Sequence, residues 1–201
     1  MKTLKSNLKS IALIAVMVTT VLTVSCNKED DLFPQETVTF EDDALKAGKA
    51  LPPGGQSIAE IAINADFDEL VAALVYVDAE LGAGLVDLFL NGTDQYTVFA
   101  PTDEAFEALY GALGVSNITE VDAQTVLNVL LYHVTEGRRA ANSVVPKVKV
   151  RRIKTLLEGA TFSVDSSAKI LAVGNSAKII SANISASNGV IHVIDTVILP
   201  F

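Results

Sequence analysis

Thr97-Val98-Phe99-Ala100-Pro101-Thr102-Asp103-Glu104-Ala105-Phe106 is the stretch that decides the fold. Its first half is uncharged and rich in β-branched and aromatic residues, the composition of a buried strand. Pro101 then fixes φ and removes a donor, so strand pairing stops there. Thr102 follows as the expected N-cap of a helix, with Phe106, Leu109 and Tyr110 on its inward face. A small residue, a fixed φ and a side-chain cap in succession turn strand into helix within a few residues.

Upstream, Ser57-Ile58-Ala59-Glu60 is a capping-box pattern, in which serine and glutamate satisfy each other's backbone donors. Asp66 and Glu69 repeat that spacing, and Phe67, Leu70, Val71, Leu74 and Val75 recur at helical period. A third short helix includes Leu85, Leu88 and Phe89, and Asn91-Gly92 ends it. Gly82-Ala83-Gly84 is read as a helix-joining turn, because a dinucleotide fingerprint needs a third glycine and a preceding strand. Downstream, a helix is expected from Asp122 to His133, with Val126, Leu127, Leu130 and Leu131 on one face. From about Ala140 the pattern changes to short strands of period two. Glu158-Gly159, Ser166-Ser167, Gly174-Asn175 and Asn188-Gly189 punctuate them, the last as a hairpin-turn signal. Helices first and strands afterwards predict an α+β domain.

Three segments in order resemble the signatures of the fasciclin-type (FAS1) family. They are the stretch 97–106, Tyr132-His133 within Leu130-Leu131-Tyr132-His133-Val134, and Gly189-Val190-Ile191-His192-Val193-Ile194-Asp195-Thr196-Val197-Ile198-Leu199-Pro200. The resemblance covers residues 57–201. It implies a β-sandwich with several helices packed around it, used mainly in cell-surface and matrix adhesion, with some members binding small hydrophobic ligands. It also makes Tyr132 and His133 a candidate recognition point, since this region is associated with receptor binding in animal relatives. Leu130 and Leu131 beside them argue that the pair is at least partly buried and serves the core.

The N-terminus reads as an export signal. Lys2, Lys5 and Lys9 precede an apolar run, Ile11 to Val24, that is shorter than the ~20 residues of a spanning helix. Leu22-Thr23-Val24-Ser25-Cys26 resembles a bacterial lipobox, with Thr23 where leucine is usual, so residues 1–25 are expected to be a signal peptide and Cys26 the lipidation site. Acyl chains contribute about 0.8 kcal/mol per buried CH₂, so several of them make a stable anchor. Lys28-Glu29-Asp30 behind the cysteine resembles the surface-export signal of Bacteroidetes lipoproteins. Residues 26–56, acidic and ending in Pro52-Pro53-Gly54-Gly55, are expected to form a flexible tether to a domain at 57–201. The expected location is the outer membrane facing the cell exterior, with its periplasmic face as the alternative.

The chain carries a formal charge of −9, and loss of three lysines with the signal would take it to −12. That balance excludes general nucleic-acid binding, which needs Lys and Arg against phosphate. Cys26 is the only cysteine, so no disulfide holds the fold. His133 and His192 are the only histidines, and each sits inside a family signature. There is no Gly-x-Ser-x-Gly elbow and no metal-ligand spacing, so neither catalysis nor a metal or other cofactor is expected.

The charges are segregated. No Lys or Arg occurs between Lys49 and Arg138, an interval rich in Asp and Glu, whereas cations cluster from Arg138 to Lys154. Alternation of Lys147, Lys149 and Arg151 with Val148 and Val150 predicts a strand with its cations on one face. Lys147, Lys149, Arg151 and Arg152 are therefore a candidate docking strip for an anionic glycan, a lipid headgroup or another copy; the competing reading is a solvated edge strand. The functional expectation is a non-enzymatic surface lipoprotein whose domain mediates adhesion or protein–matrix contact, held to the membrane through Cys26. Its expected partner is a protein or glycan at the cell surface, with self-association as a further option. The alternative is a carrier holding a small hydrophobic ligand in a pocket between the helices and the sandwich.

Overall fold

A computed structural model describes residues 52–201 of the chain; Cys26, the signal segment and most of the expected tether lie outside the described residues. Helices α1 (Ile58–Asn64), α2 (Asp68–Leu81) and α3 (Leu85–Asn91) come first, followed by strand β1 (Tyr96–Pro101). Then come α4 (Asp103–Leu113), a 3-10 turn at Ile118–Glu120, α5 (Ala123–Tyr132), β2 (Val134–Glu136) and the short α6 (Ala141–Val144). The chain ends in β3 (Arg151–Lys154), β4 (Thr161–Val164), β5 (Lys169–Leu171), β6 (Ser176–Ala186) and β7 (Gly189–Ile194). The α+β expectation holds.

The expected sandwich is built from one continuous sheet, ordered β2-β1-β7-β6-β5-β4-β3. Strand β6 belongs to both halves. Its first residues pair antiparallel with β5, Lys169 opposite Lys178, and its last pair with β7, Ala186 opposite Gly189. Register shifts between Ile179 and Ser181 and between Ser181 and Ile184 fall inside the β6–β7 ladder, directly after Lys178, the last residue paired with β5. Such irregularities bend a strand and increase its twist, which lets the sheet fold over itself. β1 and β7 are parallel neighbours and are covered on both faces, so β7 reads as an unbroken apolar run apart from His192.

Two hydrophobic cores result. Between helices and sheet lie Phe67, Leu74, Phe89, Val98, Phe106 and Ile191. Between the sheet halves lie Phe99, Tyr132, Ile153, Phe162, Ile170 and Ile194, with the Phe99 and Phe162 rings edge-to-face at 5.0 Å. Alternation along β1 sends Val98 and Ala100 to the first core and Phe99 to the second.

The local caps form as expected at Ser57, where both capping-box bonds are present, and at Thr102, while Asp122, read as the first residue of its helix, is the N-cap of α5. Asp66 does not cap α2. It lies at φ 55°, and the N-cap position falls to Phe67, which supplies no side-chain bond. Val75 is 53 % exposed rather than inward. The hairpin between β6 and β7 turns on Ser187-Asn188, with Gly189 already in the strand. Glycine is required there by crowding: a Cβ would lie 2.2 Å from the Tyr96 carbonyl oxygen and 2.7 Å from Ile58 Cδ1.

The tether boundary also moves. Gly54 N–H donates to the Ala186 carbonyl at 3.1 Å, and Ser187 N–H donates to the Gln56 carbonyl at 2.7 Å. Residues 52–56 are thus held along the hairpin rather than being part of a flexible linker.

Candidate functional site

Tyr132 and His133 close α5, where the chain passes from helix into β2. Tyr132 is fully buried, and its hydroxyl donates to the Thr161 carbonyl at 3.0 Å. His133 is 2 % exposed; its Nδ1–H donates to the Val129 carbonyl at 2.7 Å, and its Nε2 accepts from Ile198 N–H at 3.0 Å. The ring ties the end of α5 to the segment after β7. Neither side chain reaches the surface, so direct recognition through this pair is corrected to an interior, structural role.

His192 is used in the same way from the other side. It lies opposite Phe99 across the β1–β7 ladder. Its Nδ1 accepts from Asn183 N–H at 3.3 Å and its Nε2–H donates to the Arg139 carbonyl at 2.9 Å. Burial lowers the pKa of both imidazoles to about 4, because a charged ring would lose its hydration there. Both are neutral at pH 7, with both nitrogens occupied by backbone, and neither has a lone pair left for a substrate hydroxyl. Among the described residues no buried side-chain nitrogen or oxygen lacks a partner, and no three of His, Cys, Asp and Glu converge on a metal-sized site.

The fasciclin-like stretch 97–106 likewise has structural work at Thr97, Thr102 and Asp103. Thr97 is buried; its hydroxyl donates to the Gly137 carbonyl at 2.6 Å and accepts from Arg139 N–H at 2.8 Å. Asp103 accepts from Glu69 N–H at 3.1 Å, capping α2 from another helix. Glu69 in turn accepts from the Tyr110 hydroxyl at 2.6 Å, and burial followed by this carboxylate raises the tyrosine's pKa.

The expected basic strip does not form as one strand face. Residues 147–150 are irregular, with Val148 85 % exposed, and the strand begins at Arg151. Arg151 and Arg152 then point to opposite faces. Arg151 pairs in register with buried Val164 and reaches the Ser143 carbonyl, whereas Arg152 pairs with Ser163 on the outward face. Arg138 is withdrawn into the structure: its guanidinium donates to the carbonyls of Ala186 at 2.8 Å, Gly189 at 2.5 Å and Pro52 at 2.8 Å.

What the sequence did not assemble is a second group of cations. Lys169 and Lys178 face each other across β5 and β6, on the same outward side as Arg152 and Lys154. They line an open cleft of about 390 Å³ with Ser167, Ser176, Ala177, Asp195 and Thr196. A long-range reading of strand parity alone could have united them, since Ile170 and Ala177 between them are apolar. The boundary between helices and sheet, where the alternative reading places an apolar ligand pocket, is lined by residues of the first core.

Residues 67–200 match the fasciclin domain family. The chain belongs to it. The fasciclin family is one of adhesion-type, extracellular domains without catalytic function, and this chain is no enzyme. Among its relatives is the Synechocystis protein sll1483, 37 % identical over 168 residues, covering 82 % of this chain and 84 % of that one. The pig transforming growth factor-beta-induced protein ig-h3 is 35 % identical over 149 residues, which is 74 % of this chain but 20 % of the larger protein. The Mycobacterium bovis immunogenic protein MPB70 is 35 % identical over 118 residues, covering 58 % of this chain and 54 % of that one. A solved pair of FAS1 domains from the insect cell adhesion molecule fasciclin I aligns with a TM-score of 0.47 at 19 % identity, over 66 % of this chain and 45 % of the other.

Proposed function

We propose that this fasciclin-domain protein is a lipid-anchored adhesion module of the cell surface, with Cys26 supplying attachment and the domain supplying contact with a protein or matrix partner. The observation that carries the reading is the fasciclin match over residues 67–200 behind a lipobox-like segment ending at Cys26. The occupation of both histidines by backbone supports a role in contact, since the groups most suited to acid–base work at neutral pH are committed to packing. Lys28-Glu29-Asp30 favours the exterior face of the outer membrane.

Protease shaving of intact cells, followed by fractionation of wild-type and Cys26→Ser strains, tests the location. Wild-type protein should be membrane-bound and cleaved from outside, and the variant should be released. Deletion should reduce attachment to a coated surface or cell–cell aggregation, and re-expression should restore it. A Cys26→Ser protein still held in the membrane, or a deletion strain that adheres like its parent, would overturn the corresponding half of the proposal.

A further inference from the structure

The outward face of β3, β4, β5 and β6 carries Arg152, Lys154, Lys169 and Lys178 among hydroxyl-bearing and apolar side chains. Parity is set by Ile153, Phe162, Ile170 and Ala177, which are buried in the second core. Their neighbours point the other way. Arg152 and Lys154 on β3 lie beside Ser163 and Thr161 on β4, and Leu171 on β5 lies between Ser163 and Ser176. Lys169 stands opposite Lys178 at the next outward position. No acid occurs in any of these four strands. The face spans three interstrand spacings of ~4.8 Å, about 14 Å.

Like charges directly opposite across a ladder are destabilising; Asp165 beside Lys169 and Asp195 beside Lys178 offset part of that repulsion, and an incoming anion would relieve the rest. The cleft at this pair has a mixed chemistry. Ser167, Ser176 and Thr196 bring hydroxyls, and Asp195 brings a carboxylate whose Oδ1 accepts from Lys178 N–H at 2.8 Å. Asp165 sits at the other side of Lys169 and accepts from its N–H at 3.0 Å. A carboxylate among the cations repels a phosphodiester and a uronate alike, but it can accept hydrogen bonds from the free hydroxyls that a sugar chain carries and a DNA backbone lacks. The acidic helical half would also repel a polyanion large enough to wrap the domain, which favours a thin chain lying on one face.

We infer that this face binds a linear acidic polysaccharide, with Lys169 and Lys178 holding a uronate carboxylate in the cleft and Arg152 and Lys154 receiving the next charges along the chain. The assignment deepens the adhesive reading by naming the surface and the ligand class. It differs from the contiguous run of cations at 147–152, of which only Arg152 lies on this face.

The test is titration of the full chain, purified in detergent, with polygalacturonate at low salt. Neutral dextran and single-stranded DNA are the comparison polymers. Binding should be seen with polygalacturonate and be weak or absent with the other two. The pair Lys169→Glu/Lys178→Glu should weaken it by about tenfold or more, because both charges lie inside the site. The pair Lys147→Glu/Lys149→Glu, an equal change of charge on the loop, should change it by no more than about twofold. Asp195→Asn should weaken it, as expected for a sugar-hydroxyl acceptor; tighter binding would mean the face reads charge alone and would overturn the glycan assignment. Equal losses from the two lysine pairs, preference for DNA, or salt-sensitive self-association without polysaccharide binding would each overturn it. Cells carrying the Lys169/Lys178 variant that adhere normally would sink this assignment while leaving the adhesive reading standing. Cells lacking the protein that adhere normally would sink the adhesive reading.

Discussion

Asp103, in the first turn of α4, caps α2 by accepting from the backbone N–H of Glu69 at 3.1 Å. The first N–H groups of a helix have no partner within it, and α2 lacks a side-chain cap of its own. The family-like stretch 97–106 therefore does two things at its helical end. Thr102 caps the helix that it begins, with Ala105 N–H donating to its Oγ1 at 3.4 Å, and the next residue caps a helix formed earlier in the chain.

Asp103→Ala is accordingly expected to cost about 1–2 kcal/mol, the range of a lost cap. Asp103→Asn, which keeps an acceptor oxygen, should recover most of that. Urea denaturation of the two variants checks it; equal midpoints for Ala and wild type would mean the cross-helix cap contributes nothing.

Asn188 makes a comparable long-range tie. Its side chain accepts from Ile58 N–H at 2.8 Å and donates to the Phe89 carbonyl at 2.8 Å, joining the start of α1 and the end of α3 to the β6–β7 turn. Asn188→Ala would leave two buried backbone groups unpaired, a loss on the order of 2–4 kcal/mol. Gly189→Ala, next to it, should also destabilise, through overpacking against Tyr96 and Ile58 and by about 1–3 kcal/mol. Thermal unfolding of both variants separates the causes: a cut-back at Ile58 (Ile58→Val) should partly rescue the glycine variant and not the asparagine one.

These two ties show which parts of the molecule were legible. Capping by Ser57 and Thr102 is local, spanning three residues, and could be read directly. Asp66 has the same local pattern as Ser57, and it misled because Asp103 arrives from elsewhere to satisfy α2. The helices and strands followed from periodicity, and the turn at Asn188 from composition, but the reason for Gly189 was packing against Tyr96 rather than turn geometry. The same limit applies to the charged face. A contiguous run of cations drew attention to 147–152, whereas Lys169 and Lys178 join Arg152 only through three strand registers. Conversely, Tyr132-His133 stood out in the sequence through the family resemblance, and the pair is spent on holding the core.

Arg138 illustrates how a cation can be structural. Its planar fork reaches the carbonyls of Pro52, Ala186 and Gly189 together, a geometry that lysine cannot reproduce. Arg138→Lys should destabilise the domain by about 1–3 kcal/mol despite the retained charge. Arg138→Ala should in addition loosen the segment 52–56 from the hairpin. Limited proteolysis under native conditions reads this as faster cleavage within 52–56, and an unchanged cleavage rate would show that the Gly54 and Gln56 backbone bonds suffice.

The two histidines predict a pH dependence with a definite sign. Each has a pKa of about 4 in the folded protein against 6.5 when unperturbed, so the unfolded chain binds more protons between those values. Stability contributed by the neutral rings is fully present above pH 6.5 and is lost as pH falls towards 4, on the order of 3 kcal/mol for each ring across the window. Carboxylates with lowered pKa values, such as Asp165 held by Ser167, add their own loss only at lower pH. Urea midpoints measured from pH 7.5 to 4 should therefore fall steadily below pH 6.5. His192→Gln retains a donor and an acceptor without the titration; it should lower stability at pH 7 yet remove about half of the slope. A slope unchanged by that variant would show that His192 is not buried neutral, and the tautomer that joins Asn183, His192 and Arg139 would have to be reassigned.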